Sequence, residues 1–200
     1  YTLLDMAGQG TPIVHVYPEQ SEIGRVHRPA LGIVSDLNAF ARVARETPPV
    51  KEPAWSGWTR EARAARLEQA KPQDYAGPMN LAVALQELEK ALPPDTIFTT
   101  DAGNFATWPT RFMHLTEGQD FLGPTNGAMG YGVPAAIAAA ITTGRVSFTI
   151  AGDGDFLMNG QELATAAQCG AKSIVLLLNN GIYGTIRMHQ EREYPKNVSG

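Results

Sequence analysis

Two carboxylates and two amides bracket a stretch that is otherwise mostly apolar. Asp153 and Asp155 lie in Ala151-Gly-Asp-Gly-Asp-Phe156, and Asn179 and Asn180 open Asn179-Asn-Gly-Ile-Tyr-Gly184. Carboxylate and amide oxygens are hard donors. Mg²⁺ takes such oxygens in an octahedral sphere that it commonly shares with phosphate. Gly152 and Gly154 allow a sharp turn and a close approach of ligand to backbone. Asn159, with Glu162 three residues on, has the spacing of a capping box and predicts a helix from Asn159 to Gln168. Helix N-termini favour anions. The residue types therefore describe a divalent metal that holds a phosphate or diphosphate.

Positioning these groups requires two strands and a crossover. Arg145-Val-Ser-Phe-Thr-Ile150 precedes the first cluster and Ser173-Ile-Val-Leu-Leu-Leu178 precedes the second. Strand, glycine turn, helix and strand make a βαβ unit, whose crossover is right-handed and whose strands are parallel. Both clusters then fall at carboxyl ends of strands, the edge where open α/β sheets bind ligands. The same alternation runs from Pro78. Leu81, Leu85, Leu88 and Leu92 share one face of a helix, and Pro93-Pro94 stops it. Thr96–Thr100 reads as a strand, followed by Asp101-Ala-Gly-Asn-Phe105, a glycine-rich stretch to Gly132 and an alanine-rich helix from Val133 to Ile141. The fold class is α/β, a doubly wound, mostly parallel sheet flanked by helices.

The chain before Pro78 differs. A strand at Thr11–Tyr17, a turn at Pro18–Gly24, an extended piece at Gly32–Ser35 and a helix at Leu37–Glu46 capped by Asp36 or Ser35 make a partial α/β unit over residues 1–46. His15 sits mid-strand and reads as structural. Residues 47–77 read as a proline-marked linker holding a charged helix, Trp55–Lys71; its Arg60, Arg63 and Arg66 interleave with Glu61 and Glu68 as on a solvated face. Residues 78–200 form the ligand-binding domain. The chain opens on Tyr1 rather than Met and stops at Ser199-Gly200, so it is expected to be a piece of a longer protein, incomplete at its C-terminal end.

Composition narrows the partners. With 44% hydrophobic and 18% charged residues, the chain is that of a globular protein. A net charge of −4 offers no footprint for nucleic acid or an anionic membrane surface. Apolar runs are too short to span a bilayer. No secretory signal pattern opens the chain. The single cysteine, Cys169, fits a reducing, cytoplasmic setting and reads as a small buried side chain.

Gly152-Asp-Gly154, a spacer of 24 residues from Asp155 to Leu178, and Asn179-Asn180 resemble the Mg²⁺-diphosphate motif of thiamine-diphosphate-dependent enzymes. Asn126-Gly-Ala-Met-Gly-Tyr-Gly-Val-Pro-Ala135 resembles a second marker of that family, whereas its glycines have the wrong order for a dinucleotide fingerprint. The resemblance implies that Asp153, Asn180 and the Ile182 carbonyl hold Mg²⁺. It places Gly152, Gly154 and Asp155, with Tyr183 and Gly184, beside the diphosphate. It has Gly127 meet the aminopyrimidine and Met129 force the bent cofactor shape. Gly103 and Asn104 stand in a diphosphate loop that commonly carries a Gln-His pair, and Phe105 replaces the imidazole.

Residues 78–200 resemble the C-terminal domain of acetolactate-synthase-like members and residues 1–46 the end of their central domain, though benzoylformate decarboxylase, oxalyl-CoA decarboxylase, glyoxylate carboligase and sulfoacetaldehyde acetyltransferase share these motifs. In acetolactate-synthase-like members a central domain ends as His15-Val-Tyr-Pro-Glu19 and its surroundings do here, and Arg187, Met188 and His189 would lie near substrate. That implies action on a 2-keto acid or aldehyde, by decarboxylation, carboligation or both. Homodimers or homotetramers are implied, with FAD undetermined. The glutamate that activates the cofactor belongs to a separate N-terminal domain in this family, so no catalytic residue is assigned here and the chain alone is expected to be inactive. Two alternatives use the same residues: a Mg²⁺-dependent phosphotransferase built on Asp153, and a non-catalytic assembly domain retaining the fold.

Overall fold

The computed structural model describes residues 10–197. Tyr1 and Ser199-Gly200, whose identity suggested a longer protein, lie outside them. Contacts divide the chain into two units, with the boundary between Thr59 and Arg60.

In the first unit β1 (Val14–Tyr17) pairs in parallel with β2 (Leu31–Val34), Val14 opposite Leu31. A 3-10 turn at Gln20–Glu22 lies between them. Helix α1 (Leu37–Glu46) starts where Asp36 accepts a 2.9 Å bond from the Ala39 amide, as a cap should. His15 is structural: its Nδ1 accepts from the Gly24 amide at 3.2 Å. No described residue up to Thr59 is buried.

The boundary falls inside α2 (Ser56–Gln69). The C-terminal part of that helix, from Arg60, belongs to the second unit. Arg66 does not simply face solvent, as its neighbours suggested. Its guanidinium donates to the carbonyls of Arg111 and Thr110 at 2.8 and 2.9 Å, while Arg111 donates to the Gln69 carbonyl at 2.8 Å. Carbonyls at helix C-termini lack intrahelical donors, and the guanidinium fork supplies them.

The second unit is built on a parallel sheet. In chain order it contains α3 (Leu81–Ala91), β3 (Ile97–Thr100), a 3-10 turn (Asn104–Ala106), α4 (Thr107–Phe112), β4 (Asp120–Leu122), α5 (Gly132–Thr143), β5 (Ser147–Gly152), α6 (Asp153–Asn159), a second 3-10 turn (Gly160–Glu162), α7 (Leu163–Cys169), β6 (Ser173–Leu178) and α8 (Gly184–Glu193). The strand order is β4-β3-β5-β6, all parallel. The chain runs from β3 outward to β4, then returns across β3 to β5. The order therefore reverses between β3 and β5, which makes the crevice above them the switch point of a doubly wound sheet. Strand β4 and helix α4 are not apparent in the sequence: β4 is short and sits beside glycine-rich chain, and α4 carries Pro109 in its first turn, where a missing N–H does no harm.

Side-chain alternation sorts the two faces. Phe98, Phe148 and Ile150 pack with Leu85 and Met113 on one side, Leu176 and Leu178 joining them. On the other, Val133 and Ile137 of α5 pack with Ala166 and Val175. Thr99 and Thr149 face α5, are opposite each other in register and bond at 2.8 Å. Their small side chains let the first turn of α5 come close.

Two expectations about the crossover fail. The helix does not begin at Asn159. It begins at Asp153, directly after Gly152, loosens into the 3-10 turn at Gly160 and resumes as α7. Asn159 makes no capping bond, and its amide donates instead to the Gly130 carbonyl at 2.7 Å. Glu162 accepts from Thr165. Cys169 is exposed rather than buried, because α7 ends there at Gly170 in the left-handed conformation, φ 65°.

Candidate functional site

Three strand ends meet at the switch point. After β5, Gly152 keeps an extended backbone and α6 starts at the next residue with no side chain capping it. Neighbours explain both glycines of the turn. A Cβ on Gly152 would stand 2.8 Å from Asp155 Oδ2 and 2.9 Å from Phe105 Cε1. One on Gly154 would stand 2.7 Å from Tyr183 Cε1 and 3.3 Å from Met129 Cε.

After β6 the backbone turns by local bonding. Asn179 Oδ1 accepts from the Gly181 amide at 2.9 Å, and Asn180 Oδ1 accepts from the Ile182 amide at 3.0 Å. The Gly181 amide also reaches Asp153 Oδ2 at 3.1 Å, which ties the β6 turn to the β5 turn. The Ile182 carbonyl accepts from Gly184 at 2.9 Å. After β3, the Asn104 amide donates to Thr185 Oγ1 at 3.1 Å, linking that turn to the start of α8.

A cavity of about 620 Å³ opens between these turns. Its polar lining includes Asp153, Asp155, Asn180 and the glycines Gly152 and Gly154, and its apolar lining includes Met79, Leu81, Phe105 and Trp108. Gly103, Asn104, Met129, Ile182, Tyr183 and Gly184 also line it. Every proposed cofactor and metal residue borders the cavity except Gly127, which stands outside the lining with φ +68° and open space around it. Arg187, Met188 and His189 do not line it; the α8 residues that do are Gly184, Thr185 and Ile186. Arg187 pairs with Glu191, and His189 lies beside Arg192 at 3.0 Å.

Phe105 and Thr185 escaped the reading of the sequence. Phe105 looked like a lost hydrogen-bonding group, but its ring fills the space that Gly103 and Gly152 leave free. Nothing local marks Thr185, whose partner is far along the chain.

Two carboxylates, Asp155 in the cavity lining and Asp101 outside it, are raised chiefly by burial. Burial pushes Asp155 up, the neighbouring Asp101 charge adds to it, and its carboxyl reaches about 6. Asp155 Oδ1 has no hydrogen-bond partner among the described residues. Burial also raises Asp101, against amide bonds from Gly132, Tyr131 and Gly130 that lower it. Asp101 Oδ1 accepts from Gly132 at 2.7 Å, and Oδ2 is without a partner among the described residues. Asp101 does not line the cavity and is no candidate ligand.

The donor set suits a hard cation that phosphate helps to bind. No group of three or more His, Cys, Asp or Glu able to hold a metal occurs among the described residues. Asp153, Asn180 and the Ile182 carbonyl supply one carboxylate and two neutral oxygens. Each oxygen has more lone pairs than the amide bonds above consume. Such a set leaves room for phosphate oxygens and water, and the bare Gly152 and Gly154 leave space beside it.

A doubly wound sheet with a hard-donor, glycine-floored crevice at its switch point defines a cofactor-binding α/β domain. Residues 101–200 match the family model described as thiamine pyrophosphate enzyme, C-terminal TPP binding domain. The chain is 27% identical over 191 residues to the acetolactate synthase isozyme 2 large subunit of Escherichia coli, covering 94% of this chain and 34% of that protein. It is 30% identical over 201 residues to the acetolactate synthase large subunit of Corynebacterium glutamicum, covering 96% and 32%. With the acetolactate synthase of Arthrospira platensis it shares 39% over 102 residues, or 50% and 18%. The chain belongs to the thiamine-pyrophosphate-dependent enzyme family, in its acetolactate-synthase-like branch. It spans about a third of the length of the first two of these relatives. No helix among the described residues is long and apolar enough to cross a membrane.

Proposed function

We propose that this chain supplies the diphosphate- and Mg²⁺-holding half of the active site of a thiamine-diphosphate-dependent enzyme acting on 2-keto acids, by decarboxylation, carboligation or both. The observation that carries it is the convergence of Asp153, Asn180 and Ile182 on one glycine-floored cavity edge, tied by the Gly181 amide. Asp153, Asn180 and the Ile182 carbonyl hold the metal. Gly152 and Gly154 admit the diphosphate, and Gly103, Asn104, Asp155, Tyr183 and Gly184 surround it. Gly127 and Met129 serve the pyrimidine end. The chemistry supplied there by thiamine diphosphate, when bound, would be a sink for the electron pair released as a carbon–carbon bond beside a carbonyl breaks. The residues of this chain orient it and exclude water; the activating glutamate comes from a separate domain. The family's pattern supports a cytoplasmic homodimer or homotetramer acting on a 2-keto acid or an aldehyde acceptor. The relatives' names, acetolactate synthases, support a carboligation product of that class.

Titration calorimetry tests the reading. Thiamine diphosphate binding should require Mg²⁺ and weaken by roughly a hundredfold or more in Asp153→Ala. Binding that persists in chelator or survives the substitution would overturn it. Tighter binding of a nucleoside triphosphate would point to phosphoryl transfer instead.

A further inference from the structure

Both ends of α6 touch one loop. At the N-terminal end, Met129 Cε lies 3.3 Å from the place a Cβ on Gly154 would occupy. At the C-terminal end, the Asn159 amide donates to the Gly130 carbonyl at 2.7 Å. The second joint admits no side chain on the loop. Gly130 has φ +81°, and a Cβ there would stand 2.8 Å from Asn159 Nδ2 and 2.8 Å from Met158 Cβ. Two residues on, the loop is pinned to the sheet: Gly132 donates to Asp101 at 2.7 Å, and its carbonyl accepts from Thr99 at 2.8 Å. A helix is a stiff spacer, rising ~1.5 Å per residue. The stretch from Gly154 to Asn159 therefore fixes where the loop stands relative to the diphosphate turn.

Asn159 does not line the cavity and makes no capping bond, so its side chain acts through Gly130. We infer that Asn159 is a positioning residue: by holding the Gly130 carbonyl it sets the loop bearing Gly127 and Met129 against the helix whose first residue is Asp153. The spacing between the residues that would hold the diphosphate end and those that would hold the pyrimidine end is then set by α6. This rests on the thiamine diphosphate reading above. It adds a residue that touches neither end of the ligand yet controls how both are held at once.

The test compares two ligands in the protein carrying this chain, by calorimetry with Mg²⁺ present. Inorganic diphosphate probes the diphosphate turn alone, and thiamine diphosphate probes both ends. In Asn159→Ala, and in Asn159→Asp, which keeps the shape but loses the N–H donor, thiamine diphosphate should bind roughly five- to tenfold more weakly, as for one lost hydrogen bond. Inorganic diphosphate should bind within twofold of wild type on the same footing, which also shows that the variants fold. Equal weakening of both ligands would make Asn159 a merely structural residue and overturn the inference, as would no weakening of either. A wild-type protein that binds diphosphate but not thiamine diphosphate would overturn the cofactor reading itself, and the inference with it.

Discussion

The turns after β5 and β6 border the same cavity and meet at the Gly181–Asp153 bond, yet they are held by different forces. All six residues of β5 are buried, and its turn is packed against Phe105, Tyr183 and Met129. β6 has only one described strand neighbour, and its Ile174 and Leu177 are 46% and 43% exposed. Its turn is exposed as well, and Asn179 and Asn180 give it shape by accepting from the amides two residues on. Asp153 therefore sits on a support fixed by close packing, which resists small displacements. Asn180 and Ile182 sit on one fixed by local hydrogen bonds, which protect less against opening. A metal bridging the two turns would complete the softer side from the harder one.

Glycine substitutions separate these forces. Gly152 is confined by its neighbours, so Gly152→Ala must displace the Asp155 carboxylate or the Phe105 ring. Overpacking of this kind costs about 1–3 kcal/mol. It should appear as a lower urea midpoint at unchanged slope, and part of it should return when Phe105→Leu is added. Gly181 has φ +68° with nothing within 4 Å of an added Cβ. Gly181→Ala meets only backbone strain and should cost about 1 kcal/mol, while Gly181→Asn should cost less, since Asn tolerates that region better. If Gly152→Ala costs no more than Gly181→Ala, the β5 turn is not the packed one.

Much of this arrangement is legible in the sequence, for a reason visible in the residues. The proposed metal donors lie at ends of apolar runs, and parallel topology alone brings those ends to one edge. The α1 cap at Asp36 is likewise local, its partner three residues away. What escaped depends on distant partners. Asn159 has capping-box spacing, yet Gly130, 29 positions away, claims its side chain. Arg66 sits among solvated charges, but the carbonyls it caps are at Thr110 and Arg111. Phe105 has meaning only beside Gly103 and Gly152. Spacing within one element can be read directly, whereas a contact between elements requires the register that the fold supplies.

The packed side should also carry an electrostatic cost that the solvated side escapes. Asp101 follows β3 directly, is buried, raises the Asp155 carboxyl by its charge and is itself raised above its ordinary value of 3.8, chiefly by burial. An acid raised by folding binds its proton more tightly in the native state. Its contribution to stability is then most favourable below about 4 and declines as pH rises through its native titration. Asp101→Asn keeps an oxygen for the Gly132 amide and removes that titration. Measured by urea unfolding without Mg²⁺ or cofactor, the variant should gain on wild type as pH rises from about 4, and the gain should level off once Asp101 is ionised. The expected signature is this pH-dependent difference rather than the constant offset of Gly181→Ala, whose added Cβ meets nothing within 4 Å. A difference that stays flat across this range would mean that the Asp101 charge is already compensated. The contrast between the two turns would then rest on packing alone.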